Sequence, residues 1–132
     1  MEDILKMEPD YPNALNFVGY LWAEKGIKLD EAETMIKKAL SKKPNDGAII
    51  DSLGWVYYKK GNYRLALAEL LKANQLLPDD PTITEHVGDV YVSLKEYNKA
   101  FPYYEKSIQL EKDVNKKKVI EEKLKLIKEP RK

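Results

Sequence analysis

One interval governs this chain. Gly19 and Gly54 are 35 residues apart and Gly54 and Gly88 are 34 apart. The prolines keep the same step, with Pro9 to Pro44 spanning 35 and Pro44 to Pro78 spanning 34. Two independent markers on one period indicate a repeated supersecondary unit, so the repeat has to be read before any single element. Aligned on the glycines, three segments read NALNFVGYLWAEKG from Asn13, AIIDSLGWVYYKKG from Ala48 and TITEHVGDVYVSLK from Thr82. Each is followed by a second run, LDEAETMIKKALSKKP, YRLALAELLKANQLLP or YNKAFPYYEKSIQLEK.

Both runs carry helical periodicity. Ile50, Leu53, Gly54 and Tyr57 stand at i, i+3, i+4 and i+7, and Ala66, Leu70, Ala73 and Leu77, at i, i+4, i+7 and i+11, keep to one helical face in the following run. Lys60-Gly61-Asn62 is turn material between them, and Pro44-Asn45-Asp46-Gly47 or Pro78-Asp79-Asp80-Pro81 closes a unit. The unit is therefore helix, turn, helix, turn. Such a unit hides its apolar face only by stacking on a neighbour. Gly19, Gly54 and Gly88 allow close approach of the partner helix, and Ala32, Ala66 and Ala100 are the small residues across that contact. Trp22, Tyr57 and Tyr91 hold one register position and fill the space between successive units.

Gly54, Tyr57, Ala66, Leu70, Ala73 and Pro78 sit at the offsets of the tetratricopeptide repeat, as do Gly88, Tyr91, Ala100, Tyr104 and Ser107. The first unit is similar through Leu15, Val18, Gly19 and Trp22, then Ala32, Ile36, Ala39 and Pro44, with one extra residue in its turn. The resemblance covers about 100 residues, and it implies an all-α, right-handed solenoid that works as an interaction scaffold. The stretch around Gly19 and Gly54 also resembles the C-terminal repeats of bacterial tetratricopeptide lipoproteins, which act as envelope scaffolds or adaptors, although this chain has no lipobox cysteine.

The resemblance divides residues 1–132, a single domain, into repeats over 12–44, 47–78 and 81–112 and a capping helix over 114–129. Residues 1–9 read as a preceding helix or half-repeat, or as the cut edge of a longer array. In the last segment Ile120, Leu124 and Ile127 make one apolar stripe, which a capping helix would lay on the third repeat. Pro102 falls inside the third unit's second helix. If Asn98 caps that helix, the proline lies at the limit of what the first turn tolerates, and a shifted start or mild kink is expected.

Composition removes most chemistry. The 23 basic and 22 acidic residues nearly cancel, so bulk charge implies neither nucleic acid nor anionic lipid as a partner. Charge is uneven, with eight Lys and Arg against four acids from Asp113 onward. The run Lys116-Lys117-Lys118 lacks interleaved aromatics and is diluted by Glu121 and Glu122, which reads as a solvated capping helix. Without cysteine there is no disulfide, thiolate nucleophile or Cys-ligated zinc. His86 is the only histidine, and it has no second histidine at ligand spacing, so it reads as a helix-surface residue at the groove edge. Asp79-Asp80 reads as a turn and helix start rather than a catalytic pair. The expectation is a protein without catalysis, cofactor or metal.

No run approaches the roughly 18 apolar residues of a membrane-crossing helix. MEDILKMEP is too acidic, and its apolar part too short, for a signal peptide. The chain as written reads as soluble. Its compartment stays open between the cytoplasm and, for a trimmed lipoprotein domain, the periplasm or envelope.

In this kind of solenoid the first helix of each unit lines a concave groove, where family members hold extended peptides or partner helices. With Gly54 and Tyr57 on the core side, Asp51, Trp55 and Tyr58 form a separate stripe. The matching positions are Asn16 and Tyr20 in the first unit, and Glu85, Asp89 and Val92 in the third. Tyr20, Trp55 and Tyr58 are expected as aromatic platforms, with Asp51, Glu85 and Asp89 as acidic groups. Exposing half of a large aromatic forgoes about 2–3 kcal/mol, which favours a partner that covers it. The expected ligand is a protein or peptide with apolar or aromatic anchors and basic residues. Family members that clamp acidic chaperone tails use Lys, Asn and Arg, where this chain has Asn16, Tyr20, Ser52, Thr82 and His86, so such tails should not bind. The alternatives are a structural or self-assembling module, which leaves self-association open, and packing of Trp55 and Tyr58 against a neighbouring helix.

Overall fold

The computed structural model describes residues 12–128, and the expected helix over 1–9 lies outside them. Seven helices follow in order: α1 (Pro12–Lys25), α2 (Leu29–Lys42), α3 (Gly47–Lys59), α4 (Tyr63–Leu76), α5 (Pro81–Ser93), α6 (Tyr97–Leu110) and α7 (Val114–Lys128). There is no strand among the described residues. Packing is closest within the pairs α1/α2, α3/α4 and α5/α6, and then between each pair and the next through α2/α3 and α4/α5. The first helices also touch one another, α1 with α3 and α3 with α5, and so form one continuous face of a right-handed α-solenoid.

The glycines fix the spacing within each pair. A Cβ added at Gly19 would lie 2.7 Å from Ile36 Cγ1, and one at Gly54 would lie 2.7 Å from Leu70 Cγ and 3.3 Å from the Ala66 carbonyl oxygen. In the third pair the obstacle is Tyr104, whose Cε1 would be 2.6 Å away from a Cβ at Gly88. What crowds each glycine is therefore the large side chain one turn beyond Ala32, Ala66 or Ala100. The three alanines are themselves fully buried. Tyr57 packs against the clusters on both sides of it, between the first and second pairs and the second and third. Trp22 packs on the first cluster and Tyr91 is buried in the later one.

Turn chemistry repeats as well. The amide of Gly61 donates to the Tyr58 carbonyl and that of Asn62 to Tyr57, and the same pair of bonds runs from Gly26 to Ala23 and Ile27 to Trp22, and from Lys95 to Val92 and Glu96 to Tyr91. This closure needs a left-handed residue, which is glycine at Gly26 (φ 67°) and Gly61 (φ 85°) but lysine at Lys95 (φ 62°). The first turn adds a second left-handed residue, Lys28 (φ 49°), and that is the residue that lengthens its period. Asp46 caps α3 by accepting from the Ile49 amide, and Asp80 caps α5 by accepting from the Thr82 and Ile83 amides, with Pro81 in the first turn.

The third pair departs from the sequence reading at one point. Helix α6 starts at Tyr97, so Asn98 is not its cap and Pro102 sits inside the helix, with its ring exposed. The Ala100 and Lys99 amides, which donate to the Glu96 carbonyl, hold the earlier start. After α6 the Glu111 carboxylate accepts from the Lys112 and Asp113 amides and turns the chain into α7, which packs on α6 through Ile120, Leu124 and Ile127.

Candidate functional site

A cleft of about 490 Å³ opens on the face made by the first helices. Helix α1 lines it with Tyr20 and Glu24, α3 with Trp55, Tyr58 and Lys59, and α5 with Thr82, Glu85, His86 and Asp89. Glu111, Lys116 and Lys123 close the far end. The sequence selected seven groove residues. Five of them, Tyr20, Trp55, Tyr58, Glu85 and Asp89, line this one cleft. Asp51 is buried behind it, and Asn16 is half-buried, with an Oδ1 that has no hydrogen-bond partner among the described residues.

The aromatic wall differs from the expected exposed platforms. Trp55 is only 7% exposed, because its ring is held between Tyr58 and the imidazole of His86. The Tyr58 ring is 4.6 Å away at 13°, and the His86 ring is 3.8 Å away at 17°. Trp55 therefore belongs to the core as well as to the cleft wall. Lys59 adds its ammonium 5.4 Å from the Trp55 ring.

His86 is likewise not a surface residue. It is 5% exposed, and its Nδ1 lies 2.8 Å from Asp51 Oδ1 on the preceding first helix. Burial works against charge on the imidazole, but Asp51, Asp89 and Glu85 outweigh it and hold His86 above the usual histidine range. The two residues are separated by 35 positions, one repeat, which is the step that brings equivalent turns of adjacent first helices together. Ser93 donates to the Tyr58 hydroxyl across the same step, at 3.4 Å.

The acids at the other end have internal partners that sequence reasoning missed. Lys123 of α7 places its ammonium 2.6 Å from Glu85 Oε2 and 3.1 and 3.2 Å from the two carboxylate oxygens of Asp89. Tyr104 donates its hydroxyl to Asp89 Oδ1 at 2.6 Å, and burial followed by the charge of Asp89 raises the phenol far above its ordinary value. Burial opposes the charge on Lys123, yet Asp89 and Glu85 together raise its affinity for the proton. Tyr20 stands among acids too: burial, Glu24, Asp51 and Glu85 all push its hydroxyl upward. A signal for Lys123 was present, since it lies 34 positions beyond Asp89, one repeat further along the same column as Tyr20 and Trp55.

Aromatic and carboxylate groups converge on the cleft, and the imidazole of His86 is already held by a carboxylate. Among the described residues no group of three His, Asp or Glu is placed to hold a metal ion, and no helix is long and apolar enough to cross a membrane.

The comparisons agree with this architecture. The tetratricopeptide-repeat family model matches residues 16–116. A TPR repeat-containing protein of Pseudomonas aeruginosa, PA4667, is 38% identical over 86 residues, covering 65% of this chain. The match spans only 14% of that relative's length. Among solved structures, MamA superposes with a TM-score of 0.74 at 21% identity over 96% of this chain and 71% of its own. The first TPR domain of Spaghetti (RPAP3), solved with the HSP90 peptide SRMEEVD, superposes with a TM-score of 0.77 at 19% identity over 89% of this chain and 90% of its own.

Proposed function

The chain belongs to the tetratricopeptide-repeat family, and from that premise we propose that it is a non-catalytic adaptor whose concave cleft holds an extended segment of a partner protein. The observation that carries this reading is the cleft of about 490 Å³, which an aromatic stack and a cluster of carboxylates line together. Apolar or aromatic side chains of the partner would lie against Tyr20, Trp55 and Tyr58, and basic ones would face Glu24, Glu85 and Asp89. Glu85 and Asp89 both hold the ammonium of Lys123, so two carboxylates are already oriented around one cation position. The RPAP3 domain was solved with an acidic peptide. In this chain a peptide of that kind would meet Glu24, Glu85, Asp89 and Glu111 beside the cleft's lysines, of which Lys123 is already held by Glu85 and Asp89, and the one histidine is already held by Asp51.

Display of random ten-residue peptides against the wild-type chain tests the reading. Selected peptides should lose affinity for Tyr20→Ala, which removes a wall, and for Thr82→Trp, which fills the cleft, with helicity retained in both. Unchanged affinity for both variants, or micromolar binding of SRMEEVD by the wild type, would overturn the groove assignment. Trp55 is a poor choice for such a test because its burial ties it to stability.

A second reading has its own observation. Helix α7 leaves Val119 and Leu126 more than half exposed, two turns apart on one side, and they could pair two copies of the chain. Light scattering over a concentration series separates this from the first reading, since a monomer at high concentration removes it.

A further inference from the structure

Resting on that groove reading, we propose that Lys123 is a built-in ligand mimic: α7 fills with its own ammonium the subsite that receives a lysine or arginine of the partner. Docking of a basic partner and docking of Lys123 then compete for the same two carboxylates.

The receptor half of this subsite is built without α7. Glu85 and Asp89 are one turn apart on α5, and Asp89 is fixed from behind by the Tyr104 hydroxyl of α6. Their side chains are 20% and 10% exposed, so they are oriented by the fold rather than free in solvent. The cation comes from the final described helix, on a flexible four-carbon stem, and 34% of its side chain stays accessible at the cleft. Three carboxylate oxygens within 3.2 Å of one nitrogen give the geometry a guest amine would adopt. The anchoring of α7 lies elsewhere, in Ile120, Leu124 and Ile127 against the third helix pair. Withdrawal of Lys123 from the cleft therefore does not require α7 to leave its seat.

The subsite also sets the chemistry of the guest. Two partly buried carboxylates around one position favour a cation and disfavour an acid or an uncharged polar group. The stack of Tyr58, Trp55 and His86 lines the same cleft, so the guest cation belongs to a segment that also presents an apolar or aromatic residue.

The test uses the full chain, random ten-residue peptide display and two neutral replacements, Lys123→Met and Lys123→Gln, with circular dichroism to show that helicity is kept. Both variants should select peptides richer in Lys and Arg than the wild type does. Both should also bind those peptides about tenfold more tightly, the gain expected from removing one charge-assisted competitor. The gain should vanish when Glu85→Gln and Asp89→Asn are added. Equal selection and affinity in wild type and variants overturns the competition while leaving the groove reading in place. Weaker binding by both variants also overturns it, making Lys123 itself a contact for the ligand. Selection of no peptide by any of the proteins sinks the groove reading and this proposal with it. Loss of helicity in both replacements would show that Lys123 supports the fold, which contradicts a cation free to withdraw.

Discussion

His86 Nδ1 sits 2.8 Å from Asp51 Oδ1, in the buried seam between two successive first helices. Because Asp51, Asp89 and Glu85 hold the imidazole above its ordinary value of 6.5 against the opposing effect of burial, the protonated form is favoured in the folded state. A raised folded-state value means stability that is fully present below about 6.5 and is lost as pH rises through the folded value. Urea denaturation at pH 6, 7 and 8.5 should show stability falling with pH. His86→Gln should flatten that slope, since the chain has no other histidine. The same substitution should cost about 1–3 kcal/mol at pH 6, because Asp51 is left buried with a poorer partner. An equal slope in both proteins would sink the assignment.

Gly54 is the tightest test of the pairing between α3 and α4. Gly54→Ala forces Leu70 aside and presses on the Ala66 carbonyl, and should cost about 1–3 kcal/mol through overpacking. The midpoint of urea unfolding should drop with little change in slope.

Lys95 occupies a left-handed position that glycine holds in the two preceding turns. Lys95→Gly should stabilise the protein by about 0.5–1 kcal/mol, the relief of the backbone strain less the entropy that glycine adds to the unfolded chain. A lower thermal midpoint would contradict this.

Tyr104→Phe removes the hydroxyl that donates to Asp89 and leaves the ring that packs on Gly88. The expected cost is about 1.5–3 kcal/mol, as for a buried bond to a charged group. A double-mutant cycle with Asp89→Asn should recover most of it as coupling, and a coupling near zero would mean that the bond is not what orients Asp89.

Much of the fold could be read from residues because the repeat writes each contact more than once. The glycines, the alanines across from them and the period gave the helix pairs, and one additional residue in the first turn was visible from 35 against 34. Even the start of α5 was legible, since an acid before Pro81 is a helix cap. Where the helix start lacked such a signal, at Glu96, the reading slipped by two residues and placed Pro102 too near the end.

The cleft was legible as a column of positions but not in its chemistry. Helical register alone separated Tyr20, Trp55, Tyr58, Glu85 and Asp89 from the core side, because angular position follows from 3.6 residues per turn. Register within one helix says nothing of what the next helix delivers. Stacking α5 beside α3 put His86 on the Trp55 ring and against Asp51, which turned an expected exposed platform into a buried wall. Docking α7 brought Lys123 to Glu85 and Asp89 from more than 30 positions away. The sequence by itself determined which elements form and which faces they share, since those follow from local spacing. Only the tertiary structure decided how the groove's charges are paired, since pairing depends on side-chain reach across helices that meet at a distance in the chain.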